Sequence, residues 1–453
     1  MPGAVTAARA GCRCGPARGG VTLAAMLSVR AWPSLLLPLW LSAVVAAQAA
    51  APAAPAADPA SALRGRVETH GGLTVLRTWG TPDERGYAHG RLLADRIAAT
   101  ALPEFSARFG RKPGLLQQAR AMLPRLIELP DDVKAELAAM WRGVVDSKVA
   151  LRLDDLDRDF DFVDLQIVTA LDVFGLMGCS SFTVWGEQAV GGGVMTARNF
   201  DWPFTGAHML DQTIVHVAHL ENGRAVAAVT WPGYLGAVTG VSSDGVMASL
   251  HVGSAKVSWS PEPSSWPSAI AARAILAHGA GEAEATFAKA AELLGQTSPP
   301  VGFMTHVTLP AAPARGAPTR VFEADVKSAV PHAHAGGPLV LTNHFRTRAD
   351  GRKASGDSVG RQKQLDAGIA GCTDAGDRKV DVAEAWTMLQ SVERGGSNAF
   401  GTLHALVFRH EPWLFELRVG ALQDGKVVAA PSSPRQHALT RAQLFAEGES
   451  LPR

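Results

Sequence analysis

The run Gly178-Cys179-Ser180-Ser181-Phe182-Thr183-Val184-Trp185, continued after Gly191-Gly192-Gly193 by Val194-Met195-Thr196-Ala197-Arg198-Asn199-Phe200-Asp201-Trp202, decides how this chain is read. Residues 181–185 and 194–200 are short apolar runs joined by the triple glycine, a pattern that predicts a β-hairpin. Strand pairing then folds the Arg-Asn-Phe-Asp-Trp cluster back beside Cys179. There a guanidinium can stabilise a thiolate, and a carboxylate can orient an amine. Gly178, lacking a Cβ, lets another group approach the peptide bond before Cys179 closely. A plain turn with a buried Arg/Asp pair closing the hairpin gives the same local pattern.

Upstream of this point the spacing is helical. Thr81-Pro82 offers an N-cap followed by proline at the first helical position, and apolar residues recur at helical spacing over 82–109. Similar periodicity over 115–129, 131–148 and 162–176 makes the third before Cys179 mostly helical. Downstream, 212–220 and 224–231 flank Asn222-Gly223, and 235–241 and 246–252 flank Asp244-Gly245, which predicts an antiparallel meander. Helical stretches at 268–278 and 282–294 separate it from later strands at 305–309, 320–325, 339–341, 403–409 and 413–419, with a helical segment over 382–392. Strand sets separated by helical pairs predict an α+β fold in which helices cover two packed sheets.

With 453 residues, 47% of them apolar, the chain can bury a substantial core. Its 43 Lys and Arg against 42 Asp and Glu leave no basic face, so nucleic acid is not an expected partner. Arg30, the apolar run 33–46 and Ala47-Gln48-Ala49 read as an export signal cleaved after Ala49, giving a periplasmic or secreted protein. The run is shorter than the roughly 20 apolar residues a spanning helix needs, so no stable membrane insertion is expected once the signal is removed. Met26 offers an alternative start. Residues 1–49 are thus a leader and signal, 50–61 an Ala/Pro linker, 62–178 a helical segment and 179–453 a strand-rich one. Of the four cysteines, Cys12 and Cys14 lie in the leader, leaving Cys179 and Cys372, which excludes a disulfide framework. His332 and His334 have no third ligand at zinc-like spacing, and no glycine-rich nucleotide loop is present. Neither a metal nor a cofactor is expected.

Four segments together carry a family resemblance. Gly178-Cys179-Ser180-Ser181-Phe182 with Arg198-Asn199-Phe200-Asp201-Trp202, the upstream Gly80-Thr81-Pro82-Asp83-Glu84-Arg85-Gly86-Tyr87-Ala88-His89-Gly90, Leu341-Thr342-Asn343-His344-Phe345, and Ser358-Val359-Gly360-Arg361 are similar to the penicillin acyltransferase-like group, peptidase family C45. More distantly they resemble bile salt hydrolase. The resemblance implies a four-layer αββα sandwich of the N-terminal-nucleophile hydrolase type. It also implies self-cleavage between Gly178 and Cys179, after which the freed α-amine serves as base for the thiol on the same residue. Asp201 would hold that amine, Arg198 would sit near the thiolate, Asn343 would donate to an oxyanion and Arg361 would support the cluster. The implied substrate is a small-molecule amide or acyl compound, whose acyl group passes from Cys179 to water or an amine. Where bile salt hydrolase relatives carry an asparagine, this chain offers His251, which with Asn199 is a further candidate for oxyanion or substrate contact. Two other readings use the same residues. One is an unprocessed Cys/His hydrolase with His251, His344 or His404 as base; the other is an exported binding protein whose cysteine is structural.

Overall fold

The computed structural model describes residues 63–175, 177–253, 265–332, 334, 336–348, 353–375, 379–395 and 400–446. The expected leader and the linker through residue 61 fall outside them. Thr81 caps helix α1 (Pro82–Phe109) through a reciprocal capping box with Glu84, as the Thr-Pro pair predicts. Helices α2 (Pro113–Leu126) and α3 (Asp131–Asp146) follow, then a two-residue pair, β3 (Arg152–Leu153) with β4 (Arg158–Asp159). Helix α4 (Phe162–Thr169) is shorter than the helical spacing predicts. The chain turns through a single 3-10 segment, Leu171–Phe174, and leaves it at Gly175 with φ of 62°, a conformation glycine adopts without strain.

Two strands precede α1 that the sequence reading passed over, β1 (Gly65–His70) and β2 (Leu73–Thr78). After α4 come β5 (Gly178–Trp185), β6 (Val194–Pro203), the short α5 (His208–Asp211), β7 (Ile214–His219), β8 (Ala225–Thr230), β9 (Thr239–Ser242) and β10 (Met247–Val252). Helices α6 (Ser268–His278) and α7 (Ala283–Leu294) lead to β11 (Phe303–Thr308), β12 (Thr319–Ala324), β13 (Ala329–Pro331) and β14 (Leu339–Leu341). The last third holds α8 (Gly356–Ala375), α9 (Val382–Ser391), β15 (Phe400–Arg409), β16 (Leu414–Val419), β17 (Ala421–Gln423), β18 (Lys426–Val428), β19 (Gln436–Ala438) and α10 (Arg441–Phe445). The strand expected from 235 forms only at Thr239, because Ala237 instead donates its backbone N–H to Ala269.

Among the described residues one sheet runs β1-β2-β7-β8-β9-β10-β11-β12-β13 and a second runs β14-β5-β6-β15-β16-β19. Their facing surfaces meet in an apolar layer that includes Val75, Val217, Val229 and Met247 from the first and Leu406, Phe408 and Leu417 from the second. Helices α8 and α9 cover the outer face of the second sheet, packing Leu365, Trp386 and Leu389 on Phe182, Ala197 and Val407. Helices α1, α6 and α7 pack on the first sheet. The chain is therefore an α+β sandwich of four layers, α, β, β and α. Among the described residues no helix is long and apolar enough to cross a membrane.

The upstream motif has an architectural use. A Cβ on Gly86 would lie 2.0 Å from the Glu136 carbonyl oxygen, and one on Gly90 would lie 1.9 Å from that of Met140. The two glycines let α1 and α3 touch backbone to backbone. The crossing seats buried Glu136 between Arg85 (3.2 Å) and Arg273 (2.7 Å), so an otherwise unpaired interior charge is neutralised from both sides.

Candidate active site

The 3-10 turn and Gly175 deliver Cys179 to the first residues of β5, which lies between β14 and β6 in the second sheet. Gly178 pairs with Asp201, Cys179 with Phe200, Ser180 with Asn199 and Ser181 with Arg198. Alternation along the strand then assigns faces. Cys179, Ser181, Arg198 and Phe200 point between the sheets, whereas Ser180, Asn199 and Asp201 point toward α8 and α9.

On the inner face Arg198 is fully buried. Its Nη2 lies 3.4 Å from Cys179 Sγ, and its Nη1 donates to the Leu250 carbonyl at 2.8 Å, which aims the guanidinium at sulfur. Burial pushes the thiol pKa up, and the Arg198 charge pulls in the opposite direction. Ser181 Oγ bridges His251 Nε2 (3.1 Å) and His306 Nδ1 (3.0 Å), so His251 stands on the sulfur side of the sheet with its Nε2 at Ser181.

The outer face holds further charged groups. Arg361, from α8, donates Nη1 to the Cys179 carbonyl (2.5 Å) and to Ser180 Oγ (2.6 Å), and Nη2 to Asn343 Oδ1 (2.8 Å). Asn343 Oδ1 also accepts the Cys179 backbone N–H at 2.8 Å, while its Nδ2 donates to the Val252 carbonyl at 3.0 Å. Cys179 N–H and Arg361 are donors only, which fixes the orientation of the amide. The donor role that the resemblance implies for Asn343 is thus not the one it plays here. With the chain continuous, its oxygen faces Cys179 and its nitrogen is bound elsewhere. Asn199, the other candidate for oxyanion or substrate contact, sits on the helix side, where Nδ2 donates to the Leu389 carbonyl at 2.8 Å.

Asp201 lies against the scissile position the sequence suggests. Its Oδ1 accepts from Thr402 Oγ1 at 2.7 Å, and a Cβ on Gly178 would be 3.3 Å from its Oδ2. Glycine therefore permits the carboxylate to approach the Gly178–Cys179 peptide. Burial raises the carboxyl pKa, with Arg361, Arg394 and Thr402 opposing.

Several contributors escaped the sequence reading. Asp357 binds Arg361 Nε at 3.2 Å, an i,i+4 pair that becomes visible only once 356–375 is known to be helical. Ser358 Oγ accepts the Asn343 N–H at 2.8 Å. Glu323, buried on β12, accepts the backbone N–H groups of Arg346 (2.6 Å), Thr347 (3.0 Å) and Arg348 (2.9 Å), pinning the loop that follows Asn343. No sequence signal marks Glu323, because its partners are backbone atoms.

The three histidines proposed as bases bond elsewhere. His344 Nδ1 meets Ser358 Oγ at 2.8 Å, His404 Nε2 meets Thr239 Oγ1 at 2.9 Å, and His251 is held by Ser181. Burial drives the pKa values of His251 and His404 well below the usual range, so both are neutral near pH 7. His332 pairs with Thr347 and His334 with the Gly337 carbonyl, and Cys372 is part-buried.

A small apolar pocket lies beside the start of β5 and β6, with Met177 and Phe200 in its wall. One side comes from the segment before Cys179 (Ala101, Val168, Leu171). The other comes from the segment after it (Trp202, Trp231, Tyr234).

No family model matches the chain, and no curated protein matches it. Among solved structures it is similar to the Caenorhabditis elegans ortholog of N-acylethanolamine-hydrolyzing acid amidase, at 17% identity, with 59% of this chain and 97% of that chain covered and a TM-score of 0.36. It is similar to the conjugated bile acid hydrolase of Clostridium perfringens at 12% identity, 58% and 96% coverage and a TM-score of 0.36. The penicillin V acylase of Agrobacterium tumefaciens stands at 14% identity, 53% and 83% coverage and a TM-score of 0.30.

Proposed function

We propose that the chain is an amide hydrolase or acyltransferase that cuts itself before Cys179 and then uses that residue as an N-terminal nucleophile. The observation that carries this reading is how the groups of one residue are held. The N–H of Cys179 is held by Asn343, its carbonyl by Arg361, its sulfur by Arg198, and the glycine before it lies against Asp201. A structural cysteine needs none of these charged partners, each of which is costly to bury.

In the proposed sequence, Cys179 Sγ attacks the Gly178 carbonyl carbon, the C–N bond breaks and the thiol proton passes to the departing nitrogen. Water hydrolyses the resulting thioester, leaving a carboxylate on Gly178 and a free amine on Cys179. That amine then takes the thiol proton as Sγ attacks a substrate amide, and returns it to the leaving amine. The acyl group is carried as a thioester until water or an acceptor amine removes it. Arg198 stabilises the thiolate that forms in a site too buried to do so with water.

The pocket beside Phe200 is proposed to take the acyl half. Apolar and aromatic walls suit a hydrocarbon or aryl acyl group. Acyl p-nitroanilides test the reading, with thioester formation at Cys179 followed by intact mass. An adduct elsewhere, or an active wild type that remains one chain, sinks it. The Ala101→Leu variant, which narrows the pocket from α1, is expected to lower kcat/KM for an octanoyl anilide about tenfold or more. The acetyl anilide and the self-cleavage rate should stay near wild type.

A further inference from the structure

Asp201 reaches beyond Gly178. Its Oδ2 lies 3.2 Å from Arg394 Nε, close enough for an ion pair, yet the two are not aligned as a hydrogen bond, and the buried Oδ2 has no hydrogen-bond donor among the described residues. The placement of Arg394 is built rather than incidental. Its backbone N–H donates to Thr402 Oγ1 at 2.9 Å, the Thr402 N–H donates back to the Arg394 carbonyl at 2.8 Å, and the same hydroxyl binds Asp201 Oδ1. The guanidinium also lies 5.5 Å from the ring of Phe400, whose edge packs against Gly178. On its far side, Arg394 Nη2 pairs with Asp357, which also holds Arg361. The charges therefore alternate around the Gly178–Cys179 unit in the order Arg361, Asp357, Arg394, Asp201.

We propose that Arg394, anchored by Asp357, is a positioning residue that holds Asp201 and withholds part of its charge from the amine that cleavage exposes on Cys179. The inference rests on the function proposed above. A carboxylate beside an amine stabilises the ammonium form, which cannot act as base; a cation sharing that carboxylate opposes this. Other groups face the amine position without altering the expected sign. From β5 and β6 these are the Cys179 thiol, Arg198 and Asp201; from α8, Arg361 and Asp357; from β15, Thr402 and neutral His404; and from the loop after β14, uncharged Asn343. Asp357 is the most exposed member of the ring, with 54% of its side chain accessible, so the charge pattern extends from buried Asp201 to the surface.

The test is the pH profile of kcat/KM on an apolar acyl p-nitroanilide, measured on cleaved protein. Arg394→Gln is expected to move the acid limb up by about one pH unit, an approximately tenfold loss of free amine at a fixed pH below the limb. Arg394→Lys, which keeps the charge, should leave the limb in place. Asp357→Asn removes a competing anion from Arg394 and should move it the other way, so the direction can be read even if Arg394→Gln fails to mature. A wholly structural role would lower kcat with unmoved limbs. Cleaved, active wild type with unmoved limbs in the variants overturns the role of Arg394 alone. A wild type that never cleaves overturns the function on which it rests.

Discussion

Cys179→Ala protein is expected to purify as one uncut chain with amide hydrolysis reduced by about 10⁴-fold or more. Without sulfur, nothing attacks the Gly178 carbonyl, and without cleavage there is no α-amine to act as base. The fold should survive, because Arg198 keeps its bond to the Leu250 carbonyl and the change removes only one small buried atom. Far-UV circular dichroism and the melting temperature should stay close to those of wild type, which separates loss of chemistry from loss of structure. Wild type should give two masses, the second beginning at Cys179. Cys179→Ser should cleave slowly, since a hydroxyl retains the geometry but is a weaker nucleophile. Normal cleavage in Cys179→Ala would show that the bond is cut by another agent.

Gly90→Val is expected to produce the other large effect, this time on stability, by about 3 kcal/mol or more. A Cβ there meets the Met140 carbonyl oxygen at 1.9 Å and the Val144 nitrogen at 3.0 Å, and neither can rotate away because both are helix backbone. Helices α1 and α3 must separate. That loosens Glu136 from Arg85 and Arg273 and exposes an interior carboxylate to poorer pairing. The denaturation midpoint by urea or guanidinium checks this. An unchanged midpoint would mean that the helices cross differently. Molecules that remain folded should still cleave before Cys179, since both glycines face α3 and not β5.

These two outcomes bear on how the four segments of resemblance divide. The stretch 80–90 serves the packing of α1, whereas the cysteine hairpin, Asn343 and Arg361 meet around Cys179. In the linear sequence all four were short motifs with nothing to say which packs and which reacts. Only the first has its glycines facing another helix's carbonyls.

The sequence by itself determined α1 with its Thr81 cap, the glycine-linked hairpin and the neighbourhood of Cys179, because capping, alternation and tight turns depend on residues close along the chain. It missed β1 and β2, which find their place through the parallel pairing of β2 with β7, distant in sequence. It also missed α8, whose apolar residues follow no strong helical stripe because one side is shaped around Arg361 and Asn343. Tertiary structure alone decided the rest. Period-two alternation can place Asn199 and Arg198 on opposite faces, but only packing shows that one face holds the sulfur and the other the helices. Likewise, Asp357, Arg394 and Glu323 act through partners far along the chain or through backbone atoms. A linear pattern of residue types carries no record of such contacts, since they arise when the second sheet, α8 and the segment after α9 close around one peptide bond.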